Sequence, residues 1–542
     1  MTIEEKTYDL INKTLEVVLA LPDANKWISL ITDLKSHVEK PCTLAIAGAQ
    51  NAGKSSFLNA FLGKKLAKVG DAATTATINK FRYGIPKDPN LPVLVHWSDG
   101  RVTEEPLSFM DSLQGKDEET LQKAQNIDFL EYIHNDPALE DLILVDTPGT
   151  LAVTEGEGDG HQKRIDRYYQ LNQKHHEESQ RQTRDADAVI YVVRGVAGKT
   201  DKDFLDAFRE TSLGGSSLDA LGVMTKMDVE EAIWNRREEQ AAYVARSLKD
   251  QLFDVVPVSV AIWDKTIQHA SSFPKWQKAI KSVPSKEELD MILMDKELFL
   301  MEDINTYMPH NLCVEIHDTL MQDGAYWSLP RTIMHALYDA PTPEAAIAEL
   351  KDGANMENLR KIIKEHFFDR KKSIHCTKIL RELKRIIDDL YRNALHDAER
   401  ASQKSAIWID EVRNTIWSKN PIVAEELMVF LSKNIKTPAE VDRLTQQLAD
   451  GVKLPLEKML LVEEAPNEDY AIRKELEKNK ELWEEGEFVE LWELFGPQGE
   501  KYVSSVNRIE RQAYWQQLAM MAYDPKIRKV AEHAVKLYGR RK

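Results

Sequence analysis

Three short segments carry residue types and spacings suited to phosphate and base chemistry. GAQNAGKSS (48–56) has the spacing GxxxxGK[ST], lying between the apolar run TLAIAG (43–48) and the helix start SFLNAFLG. Gly48 and Gly53 let the backbone wrap closely around an anion, so that its N–H groups converge on it. The helix N-terminus adds partial positive charge. In that setting Lys54 is expected to reach the β- and γ-phosphates of a nucleotide, and the Ser55 hydroxyl to bind Mg²⁺. Gln50, Asn51, Ala52 and Ser56 complete the expected phosphate loop. DTPG (146–149) ends the run LILV. There Asp146 would hold Mg²⁺ through water, and the Gly149 N–H would sense the γ-phosphate. Taken alone, such a cluster is only a turn; about 90 residues after a phosphate loop it reads as a second part of the same site.

TKMD (225–228) ends the run LGVM. An aspartate here accepts two hydrogen bonds from guanine, from N1–H and the 2-amino group. Adenine offers no such pair, so Asp228 predicts a guanine nucleotide. Thr225 opens the segment, and the Lys226 stem would pack along the base. Ser259, ending VVPVS, is a further candidate base contact through backbone N–H groups. The segment VGDAATTATINKF (69–81) lies where a switch loop belongs. Thr74, Thr75 and Thr77 each offer a hydroxyl to Mg²⁺; Thr75 is the preferred one, although threonines also suit a plain strand.

These segments need strands to hold them. TLAIAG, DLILVDTPG (141–149), DAVIYVVRG (187–195), DALGVMTKMD (219–228) and DVVPVSV (254–260) are short apolar runs with polar or small C-terminal ends. That is the form of buried parallel strands, and their alternation with helices predicts a doubly wound α/β head. Residues 76–83 and LPVLVHW (91–97) suggest a hairpin beside that sheet. Beyond about Trp263 the strand pattern disappears. Residues 3–39 read as one or two amphipathic helices, and from Lys371 the apolar spacing is helical to the end.

The chain has 542 residues, too many for one core, since cores stop growing near ~250–300 residues. Lys plus Arg is 72 against 89 Asp plus Glu, a net charge of −17, which argues against general nucleic-acid affinity. Cys42, Cys313 and Cys376 are far apart and form no metal or disulfide pattern, as in a reducing compartment. The acidic start MTIEEK is unlike a signal peptide, and no run reaches the ~18 apolar residues of a membrane span. The expectation is a cytoplasmic protein with at most peripheral membrane contact.

Taken together, GAQNAGKSSFLNAFLG, VGDAATTATINKFRYG, LVDTPGT, TRDADAVIYVVR and VMTKMD resemble the dynamin superfamily, bacterial dynamin-like proteins in particular, with a LeoA-type bacterial dynamin as a closer match. The resemblance covers residues 40–265 by motif and the helical regions by architecture alone. It implies a GTPase turning GTP into GDP and phosphate, with N-terminal helices (1–39) packed against a C-terminal helical bundle or stalk (371–542). The head would span 40–370, with a helical insertion after about 265. It also implies nucleotide-dependent homodimers or oligomers and, often, membrane remodelling. Gln50 and Asn51 resemble the loop positions that place water and a monovalent cation in dynamins, so K⁺ joins Mg²⁺ as an expected ion, and Lys54, Gln50, Asn51 and Thr75 form the expected catalytic set. Thr150 stands where many GTPases carry a water-orienting glutamine.

Two features depart from the family pattern. No lipid-binding paddle is evident; LDMILMDKELFLM (289–301) is the best apolar candidate, but its charges favour burial in a helical bundle. The region 266–350 is long for a simple link. The basic residues from Arg360 to Lys384 read as a solvated helix face. An Era- or MnmE-like GTPase acting on RNA and a nucleotide-binding scaffold with little turnover are the competing readings.

Overall fold

The computed structural model describes residues 2–21, 24–48, 52–63, 78–113, 123–124, 126–135, 139–146, 186–194, 198, 201–206, 219–248, 251–322, 325–417, 419–460, 462–463, 472–473, 476, 479–495 and 499–540. They fall into two compact units. One comprises residues 1–7 and 36–382, the other residues 8–35 and 383–542.

The first unit is built on a nine-stranded sheet. Its strands are β1 (Cys42–Gly48), β2 (Ile78–Tyr83), β3 (Val93–Trp97), β4 (Val102–Glu105), β5 (Ile127–His134), β6 (Leu142–Asp146), β7 (Ala188–Arg194), β8 (Ala220–Thr225) and β9 (Asp254–Pro257), in the order β4-β3-β5-β2-β6-β1-β7-β8-β9. From β6 through β1, β7 and β8 to β9 every pairing is parallel. The expected doubly wound, mostly parallel head is present. Successive side chains of a strand point to opposite faces, and here the two faces feed two cores. Leu44, Ile46, Ile190, Val192, Leu221 and Val223 enter one. Ala45, Ala47, Val189, Tyr191, Val193 and Met224 enter the other.

The suggested hairpin does not form. β2 pairs with β5 in parallel and with β6 antiparallel, while β3 lies between β4 and β5. Both runs belong to the main sheet, and β5, whose half-buried pattern gave a weak apolar signal, separates them.

Past β9 the chain is helical: Val260–His269, Phe273–Ile280, Lys286–Ile292, His310–Leu320, Ser328–Asp339, Pro343–Ala354 and Met356–Ile363, then Lys371–Leu390. Local chemistry sets their starts: Ser285 and Thr342 accept N-cap hydrogen bonds, the latter with proline next in line. Phe273, Trp276, Ile316, Ile333, Leu337 and Leu359 share the core that packs on one sheet face, so this helical extension is part of the head. In the 289–301 segment Leu289, Ile292, Leu293 and Phe299 are buried, while Met291, Met294 and Met301 are exposed.

Lys361, Lys364 and Lys372 are exposed, but several of the other basic residues from Arg360 on are engaged rather than simply solvated. Arg360 donates to the Ala60 carbonyl and lies 5.1 Å from the Trp263 ring. Lys371 donates to the Glu140 carbonyl and Lys372 pairs with Glu4 at 2.9 Å. Lys378 donates to the Ala186 carbonyl at 2.7 Å, and Arg381 pairs with Asp219 at 2.7 Å. Three of these, Lys371, Lys378 and Arg381, bind groups just before β6, β7 and β8.

In the second unit, Trp27 Nε1 donates to Asp389 at 2.9 Å and Lys26 pairs with the same carboxylate at 3.1 Å. Its C-terminal core gathers Leu491, Leu494, Trp515, Val530, Leu537 and Tyr538. Buried Glu490 accepts from Arg511, Trp515 and Tyr538. No helix among the described residues is long and apolar enough to cross a membrane.

Candidate nucleotide-binding site

The site forms at the C-terminal ends of β1, β6, β8 and β9, where open α/β sheets bind ligands. β1 ends at Gly48, with φ 146°, and a Cβ there would stand 2.3 Å from the Val192 carbonyl oxygen of β7. Only glycine lets the two strands approach so closely. Gly53 has φ 89° and caps the helix Lys54–Leu62, turning the chain from loop to helix in a left-handed conformation. Lys54, the first helical residue, is buried, and its Nζ donates to the Gly48 carbonyl at 3.1 Å. Burial lowers its pKa, against the pull of the Asp146 charge.

Asp146 ends β6, opposite Ile46 of β1 on one side and Asn79 of β2 on the other. It is fully buried, and neither carboxylate oxygen has a hydrogen-bond partner among the described residues. Burial drives its pKa up to about 6, against the opposing effects of the Lys54 cation and the Asn79 amide. Buried carboxylates are normally paired or bound to metal. No cluster of three His, Cys, Asp or Glu suited to a metal is found among the described residues. One orphan carboxylate near the Lys54 cation instead fits Mg²⁺, which is typically bound by one or two carboxylates together with substrate phosphates.

The base-side loops meet the phosphate loop directly. Thr225, at the end of β8, donates its hydroxyl to the Ala52 carbonyl. Lys226 follows in a left-handed conformation, φ 58°. Its pKa is lowered by burial and then by the nearby Arg194 cation. Asp228 is buried, and its Oδ1 accepts from the Ser259 hydroxyl at 2.7 Å. Burial raises its pKa; the Ser259 bond opposes that. Ser259 also caps the helix Val260–His269 by accepting from the Ile262 N–H. Its own N–H is committed to the Ala354 carbonyl at 3.2 Å, so Ser259 touches the site through its side chain rather than through that N–H.

The structure thus gathers Gly48, Ala52, Gly53, Lys54, Asp146, Thr225, Asp228 and Ser259 at one sheet edge. Ser55 and Ser56, both half-buried, open the helix beside them. Gln50, Asn51, Thr74, Thr75, Thr77, Gly149 and Thr150 lie outside the described residues. Asn79 faces the site unannounced by any motif; only its register opposite Asp146 reveals it.

A family model described as the dynamin family matches residues 44–227. Among curated proteins, the chain is 25% identical over 153 residues to the Probable transmembrane GTPase FZO-like, chloroplastic, of Arabidopsis thaliana, covering 28% of this chain and 14% of that protein. It is 42% identical over 67 residues to the Probable GTP-binding protein EngB of Bdellovibrio bacteriovorus, covering 12% of this chain and 34% of that protein. The chain therefore spans only a minor part of the length of either relative. A solved structure of an oligomerised bacterial dynamin pair, described as a mechanism for long-range sensing and tethering of membranes, aligns over 99% of this chain and 79% of its own, with 15% identity and a TM-score of 0.32. Over residues 44–227, which hold the motifs of its head, the chain is similar to the dynamin family.

Proposed function

We propose that this protein binds guanine nucleotides and hydrolyses GTP to GDP and phosphate. The observation that carries the reading is Asp146, a fully buried carboxylate with no partner among the described residues, adjoining the Lys54 cation. Lys54 would neutralise charge growing at the β/γ bridge. Ser55 and Asp146, with Thr75, would hold Mg²⁺, which when bound screens the phosphate oxygens. Asp228 would read guanine, with Lys226 along the base and Thr225 tying that loop to the phosphate loop. Lys54→Ala should abolish turnover, and unchanged hydrolysis would exclude this site as catalytic. Asp228→Asn turns one acceptor into a donor facing guanine donors, a mismatch that can cost up to ~10⁴-fold where buried polar groups go unpaired. Equal affinity of the wild type for ATP and GTP would overturn the base assignment.

The catalytic reading extends to Gln50 and Asn51, as water- and K⁺-positioning residues completed when two heads meet. It expects turnover per molecule to rise with protein concentration and with K⁺ over Na⁺. A rate flat across both would remove the dimer and the cation together. The domain reading takes 1–39 and 371–542 as one helical stalk and 40–370 as the head, although the first compact unit runs on to residue 382.

Peripheral membrane contact is the process-level part of this proposal. It is supported by exposed Ile407, Trp408, Trp417, Ile422 and Val423 on the helices His396–Glu411 and Pro421–Asn434 and the segment joining them. Exposed tryptophans beside aliphatics suit a headgroup boundary. Co-sedimentation with anionic vesicles should drop in Ile422→Asp, whereas binding that is absent in the wild type or unaltered in the variant would remove this surface from the reading.

A further inference from the structure

We infer that Ser328 and Asn355, both in the helical extension, are positioning residues that set how strongly the site selects guanine. The inference rests on the guanine reading of Asp228.

An aspartate that reads a base must present both oxygens to one edge. The Ser259 hydroxyl fixes the Asp228 carboxylate through Oδ1. That bond alone defines the side chain relative to Ser259, not the main chain that carries either residue. The main chain is held from elsewhere. Ser328, 100 positions later, donates its hydroxyl to the Asp228 carbonyl, with the Val229 carbonyl 2.8 Å away. Ser328 opens the helix Ser328–Asp339, whose Leu329, Ile333, Met334 and Leu337 are all fully buried. The anchor is therefore rigid.

The other half of the pair is tied to the same extension. Asn355 Nδ2 donates to the Pro257 carbonyl at 2.9 Å, and the Ser259 N–H donates to the Ala354 carbonyl at 3.2 Å. Asn355 has φ 59° and caps the helix Pro343–Ala354, a left-handed position that asparagine tolerates better than most residues. Thus Asp228 and Ser259, on two different strand ends, share one support. Loosening it should let the carboxylate wander from its two-oxygen alignment while leaving the phosphate loop intact.

Guanine would lose most, because it alone uses both oxygens. Hypoxanthine lacks the 2-amino donor and uses one; adenine presents neither donor. Equilibrium binding of Mg-GTP, Mg-ITP and Mg-ATP to the full chain separates these cases. In Ser328→Ala and in Asn355→Gly, which keeps the left-handed backbone, the GTP-over-ITP preference should shrink by about 3- to 10-fold, the range of one hydrogen bond's net effect. Ser328→Thr, retaining the hydroxyl, should restore it. A merely structural role would weaken all three nucleotides alike, so an unchanged preference ratio in both variants overturns the inference with the guanine reading intact. A wild type that fails to prefer GTP over ATP overturns the guanine reading itself.

Discussion

Asp146 is a residue held in an unfavourable state by its surroundings. Both oxygens lack partners among the described residues, and so does Oδ1 of Asn79, directly opposite. Asp146→Asn should therefore stabilise the nucleotide-free protein, since for this carboxylate burial outweighs the opposing pull of Lys54, and the amide offers a donor to the orphan Asn79 oxygen. Its melting temperature should rise while Mg²⁺-dependent GTP binding is lost; a fall in melting temperature would contradict this account of the site. The pH dependence follows from the same cause. An aspartate whose folded pKa is raised from 3.8 to about 6 costs stability as pH climbs through that window. The difference in stability between variant and wild type should therefore widen from pH 4 to pH 6 and then level off. Lys54, Asp146 and Asp228 stand out in sequence because the proposed phosphate and guanine chemistry would fix both residue type and spacing. Ser328 and Asn355 are not, because their partners are backbone carbonyls, which leave no trace in side-chain pattern.

At the scale of elements, the strands around the site were readable as apolar runs, whereas β2 and β3 were read as a hairpin they do not form and β5 was not read as a strand. Their half-exposed patterns do not say which neighbour each will take. From Lys371 the apolar spacing gave the helix correctly, but its basic residues read as a solvated face, and Lys378 and Arg381 are instead bound to Ala186 and Asp219. His375 shows what the charges do there. Its Nδ1 lies 2.9 Å from Asp187 Oδ2, and its Nε2 lies 2.8 Å from the His37 carbonyl. Both partners are acceptors, so both ring nitrogens donate and the imidazole is charged. Asp187 also accepts from the Thr43 N–H at the foot of β1, and Lys378 lies 3.8 Å away. Burial alone would depress the His375 pKa, but the Asp187 bond and charge raise it above its ordinary 6.5. For Asp187 burial works upward, and the His375 and Lys378 interactions bring the pKa below its ordinary 3.8. The histidine's contribution is thus fully present below about pH 6.5 and fades as pH rises through the raised value; the aspartate's is lost only in acid, below about pH 4. Urea denaturation should show wild type losing its advantage over His375→Gln as pH rises above 6.5. An advantage that instead grows with pH would mean the imidazole is neutral.

For the whole molecule, the N-terminal segment is the informative part. Leu10, Ile11, Val17, Val18, Ile31 and Leu34 are buried, and Trp27 is bound to Asp389. Removing residues 1–39 should expose apolar surface and cause aggregation, read by light scattering; a soluble, monodisperse product would count against a shared helical bundle. The amphipathic spacing gave the helices and their need for a partner, but no sequence signal gave Asp389 as the residue that receives them.

The central strands carry a consequence for how the head comes apart. Ala45 and Ile46 are neighbours on β1, yet each belongs to a different core. Peeling the helices from one face withdraws packing from strands on which the other face depends, so neither face has a private melting event. Amide protons along β1, β7 and β8 should then exchange with solvent with one shared protection free energy, whichever face their side chains address. Two protection classes alternating along β1 would show the layers opening separately.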